Sequence, residues 1–174
     1  MDAPVFLNTL PTLDRHGAVR VVVEASAGSR SKFKYDPASG CLVLHHVVPP
    51  GSCFPLDFGF IPSTLGAGGD PLDALVFADE PLPVGTVLPC RLLGVLQAEQ
   101  VQGPGPPRRN DRFLLVPTAS LAYAPWRDLG DIPPAVLEGL ETFFVSYNAQ
   151  RGVRFRPLGR RDAAAAQALL AAGP

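Results

Sequence analysis

The sequence lacks most of the features that would commit it to a membrane, a disulfide framework or a nucleic acid. Its three cysteines, Cys41, Cys53 and Cys90, are odd in number and outside any CxxC pair. That pattern excludes a fully paired disulfide scaffold and fits buried packing thiols in a reducing cytoplasm. No apolar run approaches the ~20 residues of a membrane helix, and Met1–Leu7 has no basic region leading into an apolar core, so it does not read as a secretion signal. Charge is scarce and balanced: 15 Lys and Arg against 16 Asp and Glu leave a net charge of −1. Such a balance gives no overall field towards nucleic acid or an anionic membrane. Aromatic residues do not alternate with basic ones as on a nucleic-acid-binding barrel face.

Proline and glycine are abundant instead, 20 and 17 residues scattered between short β-branched runs. Many short strands and turns follow from that punctuation. Strands are expected at 19–24, 41–44, 73–77, 89–96 and 112–116, with a turn over 36–40. A closed barrel is the natural way for so many short strands to avoid open edges. Pro133-Pro134 suits a helix entry, and Val136, Leu137, Leu140, Phe143, Phe144 and Tyr147 then repeat on one face of period 3.6. Asp162 is placed to cap a second helix over 163–171, ended by Gly173. Gly103–Arg109 reads as an exposed hairpin tip, and it lacks the GK[ST] ending of a phosphate-cradling loop. One domain over 1–174 accommodates all of this.

The chemically informative stretch is Gly66-Ala67-Gly68-Gly69-Asp70-Pro71-Leu72-Asp73-Ala74-Leu75-Val76. Pro71 stiffens the corner and pushes Asp70 towards an extended conformation, while Asp73 opens a strand. Two carboxylates across such a corner suit a hard cation such as Mg²⁺, and they equally suit an ordinary turn in which aspartate bonds its own backbone.

The context favours the first reading. The run Cys53-Phe54-Pro55-Leu56-Asp57-Phe58-Gly59-Phe60-Ile61-Pro62-Ser63-Thr64-Leu65, followed by Asp70-Pro71-Leu72-Asp73-Ala74-Leu75-Val76, resembles the signature of soluble inorganic pyrophosphatases of the bacterial type. Segments 21–24, 32–36, 83–87, 94–96 and 143–147 agree in order and spacing, so the resemblance spans roughly 18–170. It implies an α+β fold with a five-stranded OB-like β-barrel and two flanking α-helices. It also implies a cytoplasmic homo-oligomer, commonly a hexamer, that hydrolyses diphosphate with Mg²⁺. By the same resemblance, Glu24, Asp70 and Asp73 belong to an acidic metal-binding ring, with Asp70 accepting the proton of the attacking water. Lys32, His46, Arg112 and Tyr147 fall at phosphate-binding positions, Tyr147 also being counted with the catalytic set.

Several positions depart from that pattern. Gly68, Gln100 and Asn110 stand where the family has metal-binding aspartates, and Lys34 where it has a glutamate. His46 and Asn148 replace an arginine and a lysine, Arg112 replaces a lysine, and Phe54 and Phe58 replace tyrosines. Fewer carboxylates leave a divalent ion more of its waters and less affinity. The reading is therefore a diphosphate hydrolase of reduced activity, or alternatively a silent homologue that binds a phosphate-type anion or associates with an active paralogue. Strand parity turns Asp111 and Glu99 away from the pocket, unless a bulge beside the 101–109 insertion re-aims Asp111. His45 and His46, adjacent on a strand, are expected to face opposite ways.

Overall fold

The computed structural model describes residues 6–172. Nine strands and two helices occupy most of them, in the order β1 (Val19–Ala25), β2 (Ser31–Asp36), β3 (Cys41–Val47), β4 (Asp57–Ile61), β5 (Leu72–Val76), β6 (Val87–Gln102), β7 (Arg108–Arg109), β8 (Arg112–Pro117), α1 (Pro134–Ala149), β9 (Val153–Asp162) and α2 (Ala163–Ala172). Strands β1, β4, β5, β8 and β6 pair in that sequence, and β1 pairs back onto β6, closing a ring of five. Only β5 and β8 run parallel. Closure removes the open edges that would otherwise invite association. The fold is thus the α+β, OB-like barrel with two flanking helices that the sequence implies.

Alternation along the strands divides the apolar residues into two layers. Val21 and Val23, Ile61, Ala74 and Val76, Leu92 and Val95, and Phe113 and Leu115 come from all five ring strands and fill one cluster, which Ala166 and Leu170 of α2 extend. The opposite strand faces contribute Phe58, Leu75, Leu93, Leu96, Leu114 and Val116, on which α1 lays Leu137, Leu140, Phe144 and Tyr147. β5 and β8 are buried on both faces, which explains their unbroken apolar runs. The predicted face of α1 is right except that Val136 lies at its exposed edge.

Two local features set strand geometry. A Cβ on Gly59 would collide with the carbonyl oxygen of Val22, so only glycine lets β4 cross β1 this closely. Asp162 Oδ1 accepts a hydrogen bond from Ala165 N at 2.8 Å, the predicted cap of α2; Gly173 lies outside the described residues.

Two expectations need correction. Strands β2, β4, β7 and β9 escape the strand reading, and β6 runs well past residue 96. Their residues are short, charged or interrupted by glycine and proline, and they become strands through their partners. Of the cysteines only Cys90 is buried, its thiol pKa pushed up by desolvation, whereas Cys41 and Cys53 are exposed. No helix among the described residues is long and apolar enough to cross a membrane.

Candidate functional site

A cleft of about 1040 Å³ opens where α1, the β2–β3 hairpin and the corner before β5 meet the barrel wall. Glu24, Lys32, Asp70, Asp73, Arg112 and Tyr147 all line it, despite separations of more than 100 residues. Topology produces that convergence. Asp73 and Arg112 are partners across the parallel β5–β8 pair and so share a strand face. Glu24 is the extra residue of a register shift between Val23 and Ala25, which turns an otherwise barrel-filling strand towards the cleft. Tyr147 lies in the last turn of α1.

Each acidic group of this set meets a cation. Asp73 Oδ2 is 2.5 Å from Arg112 Nη1, with the arginine side chain only 4% exposed. Asp70 Oδ1 accepts from Lys34 Nζ at 2.7 Å. Glu24 lies 3.9 Å from Lys32 Nζ and accepts from Tyr35 N at 3.2 Å. Burial pushes the Glu24 carboxyl above its ordinary pKa, and Asp73 pushes the same way against the pull of Lys32. Burial also lowers the Lys32 ammonium, with Asp73 and Glu24 opposing the shift.

The replaced positions form a polar lattice in place of an acidic ring. Asn110 Oδ1 accepts a short hydrogen bond from Arg112 Nη1, which also reaches Asn110 O at 3.1 Å and Asp111 O at 3.2 Å. Gln100 Nε2 donates to Asn148 Oδ1 at 2.9 Å, and Asn148 Nδ2 donates to Phe144 O at 2.8 Å. Arg112 also stands 4.9 Å from the Phe144 ring and 5.4 Å from that of Phe155, so its cation is held on aromatic faces. Lys32 Nζ sits 4.2 Å over the Phe58 ring.

Glu99 and Asp111 do not stand in for the lost acids. Glu99 pairs with Arg156 at 2.7 Å. Asp111 borders the cleft, but its carboxylate accepts from Ala98 N at 3.0 Å and from the Arg109 guanidinium at 2.8 Å. Among the described residues no three His, Cys, Asp or Glu side chains group closely enough to hold a metal ion. A set of several Mg²⁺ ions does not fit the residues present, because the donors it would need are amides, glycine and two carboxylates bonded to Lys34 and Arg112, which leaves Glu24 alone without a bonded cation.

Some placements differ from the sequence reading. Lys32 pairs with His46 and Phe33 with Leu44, leaving His45 as a bulged residue. His45 consequently borders the cleft and His46 does not; the His46 ring packs edge-on against Tyr147 at 5.5 Å. Both rings are buried, at 2% and 1% exposure, but Phe58 borders the cleft whereas Phe54 does not and packs against Phe58, Phe143 and Tyr147. Sequence reasoning missed Arg151, which borders the cleft just beyond α1. A cation three residues after Asn148 was the signal available. The Gly/Pro-rich tip, taken for a solvated loop, contributes Pro106, Arg108 and Arg109 to the cleft wall.

Fold and cleft together define a small barrel protein with a polar cleft lined by both basic and acidic side chains. The family model for inorganic pyrophosphatase matches residues 21–173, and the chain belongs to that family. The inorganic pyrophosphatase of Thermus thermophilus is 35% identical over 164 residues, which cover 92% of this chain and 91% of that protein. The inorganic pyrophosphatase of a Nostoc species is 32% identical over 164 residues, 94% of each. Among solved structures, the Thermus thermophilus inorganic pyrophosphatase matches with a TM-score of 0.87 at 34% identity over 97% of both chains. That of Helicobacter pylori gives 0.84 at 27% identity, covering 94% of this chain and 95% of its own.

Proposed function

We propose that this chain takes diphosphate into the cleft between Lys32, Arg112 and Tyr147, and that its Mg²⁺-dependent hydrolysis is strongly reduced relative to its relatives. The observation that carries the reading is the pairing of Asp70 with Lys34 and of Asp73 with Arg112. A carboxylate bonded to a cation must give up that pair before it can take a metal ion, and giving it up leaves the partner charge uncompensated. Phosphoryl transfer depends almost wholly on positioning and on charge stabilisation, so a site that keeps its anion-binding groups and loses free acids keeps binding before it keeps rate.

Lys32 supplies a cation in a partly desolvated setting, where its attraction for a phosphate is stronger than in water. Tyr147 offers a hydroxyl whose pKa burial raises, with Arg151 and Arg112 pulling the other way. It therefore acts as a proton-bearing hydrogen-bond donor. Asp70 is the group placed to accept a proton from water, and breaking its bond to Lys34 is the condition for doing so. The same pairing favours a second reading, a silent homologue that holds a phosphate-type anion or associates with an active paralogue. A cytoplasmic homo-oligomer of the hexamer type, acting apart from nucleic acid and membranes, belongs to the reading.

Phosphate release from diphosphate with Mg²⁺ or Mn²⁺ tests it. Slow release that rises only at high metal concentration is expected. No release with retained diphosphate binding selects the silent reading, and rapid turnover at sub-millimolar Mg²⁺ contradicts both.

A further inference from the structure

Arg151 lies just beyond α1, where its backbone N–H closes the final turn onto Asn148 O at 2.9 Å. Its guanidinium carbon stands 5.4 Å from the centre of the Tyr147 ring, at the border of the cleft. Lys34, Arg109 and Arg112 each have a carboxylate partner, whereas Arg151 makes no salt bridge among the described residues. Its charge is felt by the groups facing it: it opposes protonation of Lys32, His45 and His46 and favours the ionised form of Tyr147.

Hydrogen bonding at the same spot is incomplete. The Lys32 ammonium has Glu24 as its nearest carboxylate, at 3.9 Å, too long for a hydrogen bond. The Tyr147 hydroxyl is buried without a well-formed hydrogen bond, with Arg151 approaching it, and Tyr147 as a whole is 5% exposed. Buried polar atoms without partners and crowded positive charges are both unfavourable, and one anion relieves both.

We infer that Lys32, Tyr147 and Arg151 form a phosphate-anion subsite that works without a divalent cation, with Arg151 as the clamp on one phosphoryl group. The inference rests on the reading of the cleft as a diphosphate site and adds to it a residue and a metal-free mode of capture. The planar guanidinium presents paired donors that match two phosphate oxygens, which a lysine at the same place cannot do. Its position over Tyr147 lets the phenol donate to a third oxygen.

Isothermal titration of the full chain with inorganic diphosphate in excess EDTA tests this subsite, with inorganic phosphate as a second titrant. Diphosphate is expected to bind in EDTA, less tightly as salt is added, and Arg151→Gln to weaken it by about tenfold or more, the scale of a lost charge-assisted pair. Arg154→Gln, on β9 and outside the cleft, is expected to bind as the parent does. Unchanged far-ultraviolet circular dichroism establishes that Arg151→Gln is folded. Competition by inorganic phosphate supports a clamp on a single phosphoryl group. Binding that appears only with Mg²⁺, or an Arg151→Gln titration like the parent's, overturns the inference. Rapid Mg²⁺-dependent hydrolysis instead overturns the functional reading and leaves the EDTA result to stand alone.

Discussion

Asp73 and Arg112 face each other across the barrel's one parallel strand pair, their side chains 2.5 Å apart and largely buried. This contact pairs a cleft carboxylate with a buried guanidinium. Breaking a buried pair from one side leaves an uncompensated charge, which costs about 3–5 kcal/mol. Asp73→Asn should therefore lower stability by a few kcal/mol in chemical denaturation, far more than loss of the exposed Lys34–Asp70 pair, worth about 0–1 kcal/mol. Equal small effects from Asp73→Asn and Asp70→Asn would contradict this.

Restoring acids should restore chemistry. Lys34→Glu releases Asp70, and Gly68→Asp meets open space, since nothing lies within 4 Å of a Cβ there. With Gln100→Asp and Asn110→Asp added, the four changes are expected to raise Mg²⁺ affinity and diphosphate hydrolysis together, the rate by about tenfold or more. Single changes should do much less, because groups acting as one unit are not additive. Phosphate release at several Mg²⁺ concentrations reads both effects.

The two phenylalanines should respond differently to a hydroxyl. Phe58 is 2% exposed but borders the cleft beside Lys32 and Arg112, where a hydroxyl finds polar neighbours, so Phe58→Tyr is expected to cost less than Phe54→Tyr, about 1 kcal/mol or below. Phe54 is enclosed by Phe58, Phe143 and Tyr147, and Phe54→Tyr should cost about 1–3 kcal/mol through overpacking and an unpaired hydroxyl. Denaturation midpoints of the two variants distinguish them.

Glu24 makes stability depend on pH in a stated direction. Its folded pKa is raised above the ordinary 4.5, chiefly by desolvation. The folded protein then binds its proton at a higher pH than the unfolded chain, so stability from this group grows as pH falls through the folded pKa and is complete below 4.5. Relative to Glu24→Gln, the parent should gain unfolding free energy as pH drops from neutrality. A difference that shrinks instead would mean that Lys32, rather than burial, governs the group.

Much of the barrel was legible because four of its five ring strands, all but β4, carry apolar runs that read as strands, and α1 carries a periodic face. The 53–76 motif also located the cleft, because Gly59 and Pro71 fix backbone that few other residues allow. Less legible were elements defined by partners: β9 reads as a charged, glycine-broken segment until β6 pairs with it. The bulge that brings His45 rather than His46 to the cleft depends on a register that alternation alone does not set. Sequence position likewise gave no sign that Asp70 would be held by Lys34 and Asp73 by Arg112.

Direct titration of the unmodified, metal-stripped chain with Mg²⁺, followed by heat, tests the central claim that its acids are committed to cations. Because Asp70 and Asp73 are bonded to Lys34 and Arg112 and Glu24 lies within 3.9 Å of Lys32, binding on the order of millimolar or weaker, with one ion at most, is the predicted result. Two or more ions bound at micromolar concentrations would contradict it, and would mean that the ion pairs open readily to make a metal site.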